Sequence, residues 1–329
     1  MLLKVRQFLT LAGLTATEAI RQPLCFLLTA TSVFLTGLVP VSLMHRFAEE
    51  GKLDRDSGLA FHFILGLFVA GHAASSTLAR EMRKGTASAV LSKPVSREVF
   101  FIAKYAGVAL TVLVFSFCST IATLLAERVG EKYLEAGGIG KYVTDYQTGI
   151  MLIVAPFAAA LIAGLINFKT RRPFQSTAML FLVVCVVGVF LVSGLFTRAG
   201  VFHPFDLQVQ WRILPVSMLI TMALLVLAAI ALALSTKLNT VPTLTISFVV
   251  LMAGLMSDYL LGRRAMTSEI AAFVHSVLPD FQHFWVSDAL IGGGTVPWQY
   301  VGGAGLYALV YSVGILCVGM LLFRRSEVK

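Results

Sequence analysis

Charge is scarce in this 329-residue sequence. Asp, Glu, Lys and Arg supply 13% of it, about half the roughly 25% of a soluble globular domain, while 57% of the residues are hydrophobic. With a mean hydropathy of +0.85, the composition argues against a water-soluble fold and for a polytopic membrane protein. Cysteine is sparse too: Cys25, Cys118, Cys185 and Cys317 each fall in a different apolar run, with no CxxC or Cys/His spacing. That argues against a disulfide framework or zinc site and leaves packed, reduced thiols. No stretch reads GxxxxGK followed by Ser or Thr, so the chain has no loop to cradle nucleotide phosphates. HExxH and GxSxG are missing as well. The chain is therefore not expected to be an enzyme, and no cofactor or metal site of its own is expected.

The charge that is present leans positive, with a formal net charge of +9. In a soluble protein this would suggest nucleic acid. Here the basic residues cluster beside apolar runs, as they do at an anionic lipid surface, so they are read as topology, with membrane lipids and not nucleic acid as the partner.

A spanning helix needs about 20 apolar residues. Eight runs without Asp, Glu, Lys or Arg meet this, near 24–44, 57–79, 105–126, 146–168, 173–197, 213–236, 238–257 and 300–323. The expected fold is all-α, a single transmembrane domain over 1–329 with about eight spans (six to eight). The weakest boundary is the turn at Lys237, Asn239 and Pro242, between the sixth and seventh runs. Residues 1–22 resemble a signal peptide in having Lys4 and Arg6 before a short apolar stretch. Yet Val5, Phe8, Leu9, Ala12, Ala16 and Ile20 recur at helical spacing, which fits an interfacial amphipathic helix better. With the N-terminus cytoplasmic, 16 of the 26 basic residues fall in cytoplasmic segments, the bias that sets orientation. Both termini are then cytoplasmic.

An outer loop, 262–299, is more than a connection. Ile270, Phe273, Val274, Val277 and Leu278 make one apolar stripe, Pro279 breaks it, and Phe281, Phe284 and Trp285 begin another. Two short helices dipping into the outer interface are expected, with Trp298 and Tyr300 at headgroup level as the last span begins.

The segment 80–98 organises the rest. Arg80, Arg83, Lys84, Lys93 and Arg97 lie within eighteen residues, and each would cost roughly 2.5 to 3.5 kcal/mol at the centre of a span. This segment stays in water on the cytoplasmic face. Glu81 to Ser92 suits a short helix; Lys93-Pro94 ends it, because the residue before proline disfavours the helical region. Ser96 can cap the next helix, with Glu98 near its positive end. A rigid cytoplasmic helix between two spans can pass force from a soluble partner into the membrane.

The run Glu81-Met82-Arg83-Lys84-Gly85-Thr86, followed by Leu91-Ser92-Lys93-Pro94-Val95-Ser96-Arg97 and Lys104, resembles the coupling region of ABC-2 type permeases, the membrane subunits of ABC exporters. Weaker similarity extends to the N-terminal helix and to Leu278-Pro279-Asp280-Phe281. The resemblance implies docking on a separate ABC ATP-binding subunit, which binds ATP and Mg. It places Glu81, Arg83, Lys84, Gly85 and Thr86 in the docking helix and Pro94, Ser96 and Arg97 in the turn back to the membrane. It also implies a homodimer or a related permease partner, export, and a multi-pass place in a bacterial inner (plasma) membrane. Many members have six spans rather than eight.

Other residues carry weaker signals. Gly66, Ala70 and Ala74 give a small-residue face that could be a dimer seam or packing within the chain. His62 and His72 lie ten residues apart, about 15 Å along a helix and too far for one metal. Both read as packed or interfacial histidines. Thr29, Thr31, Ser32 and Thr36 could line a route, but hydroxyls more often satisfy their own helix carbonyls. Asp258 is expected to pair with Arg263 or Arg264. Two alternatives to a transporter subunit remain from the residues alone: a membrane-embedded enzyme acting on lipid or lipid-linked substrate, and a non-transporting anchor for a cytoplasmic partner.

Overall fold

The computed structural model describes residues 2–42, 50–84, 96–136, 139–198, 200–262 and 268–324. Within them the chain is all-α apart from one hairpin. The helices are α1 (Leu2–Ile20), α2 (Pro23–Ser42), α3 (Lys52–Lys84), α4 (Arg97–Val129), α5 (Tyr146–Thr170), α6 (Phe174–Ser193), α7 (Ile213–Leu234), α8 (Thr240–Leu255), α9 (Glu269–Val277) and α10 (Trp298–Arg324). Strands β1 (Lys132–Ala136) and β2 (Ile139–Val143) pair antiparallel between α4 and α5, with Tyr133 opposite Tyr142.

Among the described residues, seven helices are long and apolar enough to cross a membrane: α2 to α7 and α10. The expected seventh span, 238–257, is instead α8, of only 16 residues. That is short of the roughly 20 a crossing needs. Its composition is that of a span, but a π-helical turn, Asp258–Gly262, follows it, and the chain then folds back. Phe281 N–H donates to the Gly254 carbonyl at 3.3 Å. Gly254 is needed there because a Cβ would overlap the Pro279 carbonyl.

The returning segment differs from the expected pair of interfacial helices. Its first stripe forms α9, with Ile270 and Phe273 exposed. Its second stripe is core: Phe281 and Phe284 are fully buried, and Trp285 stacks on Phe63 at 5.9 Å between centroids. Short 3-10 turns, Gln282–Phe284 and Ser287–Gly293, replace a second helix. Three tyrosines on α10 hold this segment. Tyr300 donates to the His283 carbonyl, Tyr307 accepts from Asp280 N–H, and Tyr311 donates to the Val277 carbonyl. Tyr311 lies thirteen residues into α10, about 20 Å along its axis. The segment therefore reaches halfway down the last span.

α7 is apolar nearly all round, as a core helix or a membrane span is, and most of its surface is buried, with Met218 exposed on one side. Leu219, Ile220, Ala223, Leu224 and Leu227 have no exposure, and α3, α4, α8 and α10 surround them. α3 and α4 run antiparallel in close register. Gly58 faces Thr123 and Gly66 faces Phe115, so the same register brings Lys84 level with Arg97.

α1 is helical as expected, but its buried seam is rotated. Thr15, Ala16 and Ala19 face inward, while Val5 and Leu9 point out. The small residues win because Gly107 of α4 lets α1 approach; a Cβ there would press on Thr15 and the Ala12 carbonyl. The apolar outer flank of α1 suits a lipid surface.

Candidate functional site

The site of interest is the end of the bundle that carries segment 80–98. α3 runs without a break to Lys84, because no Pro interrupts it and its glycines, Gly58, Gly66 and Gly71, are packed against neighbouring helices. Glu81, Arg83 and Lys84 lie in its last turns, with side chains outside the described residues. Gly85, Thr86 and Pro94 also lie outside the described residues, as does most of the expected helix from Glu81 to Ser92. The structure picks up again at Ser96, which caps α4: its hydroxyl accepts from Val99 N–H at 3.4 Å.

Arg97 and Glu98 then meet the end of α10. The Arg97 guanidinium donates to the Arg324 carbonyl at 3.1 Å. Arg324 in turn donates through Nε to Glu98 Oε1 at 3.0 Å, and its Nη2 reaches the same oxygen. Beneath this exchange Phe323 is fully buried, with its ring 5.9 Å from Phe100 and 5.8 Å from Phe101. Lys104, one turn further, is buried and pairs with Glu18 of α1 at 3.9 Å. Its ammonium lies 5.4 Å from the centre of the Phe100 ring. α4, on the C-terminal side of segment 80–98, is thus tied to both α1 and α10.

The opposite end of α4 is built differently. Arg128 is fully buried and donates to Asp145 Oδ2 at 3.0 Å and to the carbonyls of Leu207 and Phe196 at 2.9 and 2.6 Å. Asp145 also caps α5 by accepting from Thr148 N–H and hydroxyl. One guanidinium joins α4, α5 and the 194–212 connection. Nearby, Lys132 pairs with Glu127. Burial lowers the Lys132 pKa from its ordinary value, and the Glu127 charge opposes that shift.

Other sequence candidates are placed as follows. Gly66, Ala70 and Ala74 are enclosed within the chain: Ala70 and Ala74 have no exposure, and a Cβ on Gly66 would overlap Leu224 and Phe115. His62 is buried, its Nδ1 3.5 Å from the Ser217 hydroxyl. Thr29 bonds its own helix carbonyl at Cys25, whereas Ser32 bonds Ser119 of α4 at 3.0 Å. Asp258 pairs with His275 at 3.2 Å; Arg263 and Arg264 lie outside the described residues. Cys25 and Cys118 are packed as expected, but Cys317 is exposed on α10. Among the described residues no three His, Cys, Asp or Glu side chains converge to hold a metal. A groove of 470 Å³ between α4 and α7 is walled by Phe117, Met218 and Met222 and edged by the hydroxyls of Ser116, Thr120 and Thr221.

Sequence reasoning missed the Arg128 cluster and the hairpin. The hairpin had a signal, a Gly137-Gly138 pair flanked by Tyr133, Tyr142 and Val143. The cluster had only an arginine closing one apolar run and an aspartate opening the next.

These features define an all-α, multi-pass membrane protein. Residues 21–174 match the family model described as ABC-2 family transporter protein, which supports an ABC-2 type permease. That family is a membrane transport component and not itself an enzyme, and it implies association with an ABC ATP-binding subunit. The match spans α2 to α5 and includes segment 80–98. No curated protein and no solved structure matches the chain.

Proposed function

We propose that the chain couples ATP hydrolysis by a separate subunit to export of a substrate across a bacterial inner membrane. Segment 80–98 docks on that subunit on the cytoplasmic side, through Glu81, Arg83, Lys84, Gly85 and Thr86. Pro94, Ser96 and Arg97 return the chain to the bilayer. The partner holds ATP and Mg, and two permease chains pair with two copies of it. Nucleotide binding draws the ATP-binding subunits together, moves the docking helix and tilts α3 and α4.

The observation that carries this reading is the position of the motif. It lies inside the matched family region, between two long spans in tight antiparallel register, so a push on the segment bears directly on both. The exposed apolar faces of the outer helices suit lipid, and the α4/α7 groove, with no charged lining residue, suits a neutral, largely apolar ligand.

Co-purification from native membranes followed by an ATPase assay tests the proposal. A protein with a P-loop is expected to accompany the wild-type chain and to be lost with Glu81→Ala or Gly85→Trp. An equal yield of that protein with both variants would move the docking site elsewhere. Retained docking without any substrate-stimulated ATPase activity would favour the non-transporting anchor.

A further inference from the structure

We infer that Glu98 and Arg324 are positioning residues that make α10 move with the coupling segment. The inference rests on the coupling reading above and extends it to the far end of the sequence.

α10 leans mainly on α7 and reaches α4 at the end that carries segment 80–98. There the two helices exchange charge at their termini. The last carbonyls of a helix have no intrahelical partner, and a cation is favoured beside them. Arg97 supplies that cation to the Arg324 carbonyl. An acid is favoured in the first turn of a helix; Glu98 provides it in α4, and Arg324 reaches back to pair with it. Each terminus thus receives a partner of the sign its dipole favours, across 226 residues of sequence.

Below the exchange, Phe323 is buried against Phe100 and Phe101. Gly319 makes this approach possible, because a Cβ there would sit 2.8 Å from the Phe101 ring. The aromatic layer holds the helices together, and the charged pair sets which ends of them meet. Arg97 and Glu98 are the first two residues of α4, level with Lys84 of α3. A displacement of segment 80–98 therefore reaches α10 directly. The long exposed flank of α10, including Leu309, Val310 and Val313, is carried with it.

Spin labels test this in the assembled complex with its ATP-binding subunit. One label goes on native Cys317 of α10 and one on Leu161→Cys in α5, both exposed, with Cys25, Cys118 and Cys185 replaced by Ala. In this background a non-hydrolysable ATP analogue is expected to shift the inter-label distance on the order of 2 Å, the scale of helix movements at interfaces. Arg324→Glu is expected to abolish the shift while the ATP-binding subunit still co-purifies, and Glu98→Arg with Arg324→Glu to restore it. The inference is overturned if Arg324→Glu keeps the shift, if the exchanged pair fails to restore it, or if the background complex shows none. Failure to recover any P-loop protein with the background chain would sink the coupling reading itself, and this inference with it.

Discussion

At one end of α4, Arg128 has no exposure and directs its guanidinium to a carboxylate and two backbone carbonyls. At the other end, the pair that joins α4 to α10 is open to solvent, with side-chain exposures of 54% for Arg324 and 35% for Glu98. Both ends use arginine, yet the physics differs. A buried, fully bonded guanidinium cannot leave without stranding Asp145 in a low-dielectric interior, so that end is fixed. An exposed ion pair trades readily with water and is worth little to stability. The lesson is that α4 is anchored at the hairpin end and adjustable at the coupling end, the arrangement a lever needs.

The comparison can be broken most severely at the fixed end. Arg128→Met is expected to destabilise the chain by about 3–5 kcal/mol, the cost of stranding a buried partner charge, and thermal unfolding in detergent reads this. A shift as small as that of a surface substitution would mean the end is not fixed. A third region sharpens the contrast: Gly254→Val sets a branched side chain against the Pro279 carbonyl and Phe281. Overpacking of this kind costs about 1–3 kcal/mol. It is also expected to expose Phe281, read by faster hydrogen exchange over 278–285.

Tyr311→Phe removes a single hydrogen bond to the Val277 carbonyl and is expected to cost about 0.6 kcal/mol, the average for side-chain bonds inside membranes. Smallest in stability is Arg324→Glu at the adjustable end. It is expected to leave the unfolding midpoint nearly in place while ATP-dependent transport falls. Equal loss of stability at Arg128 and Arg324 would erase the distinction between the two ends.

Much of this was legible in the residues because bilayer crossing demands long uncharged runs, and seven of the eight runs fall in helices long and apolar enough to cross a membrane. The run at 238–257 misled because Thr240–Leu255 has a span's composition, while the α-helix stops at 16 residues and the returning chain packs on Gly254 through Phe281. Nothing local in α8 encodes that contact. The same holds for Phe281 and Phe284, whose spacing reads equally as an interfacial stripe or a core. Arg128 follows an apolar run and looks like an interfacial charge; only the convergence of Asp145, Phe196 and Leu207 buries it. The coupling motif was readable as a pattern of residue types, whereas its tie to Arg324 depends on where α10 lands. A local reading could supply Ser96 as a cap and Glu98 as a first-turn acid, but not the helix end they face.

The most direct test of the central claim is a photo-crosslink from the coupling segment in native membranes, with p-benzoylphenylalanine in place of Lys84. The account predicts an adduct with a P-loop protein whose yield changes when ATP is added. Adducts with lipid alone, or with no nucleotide-binding protein, would contradict it.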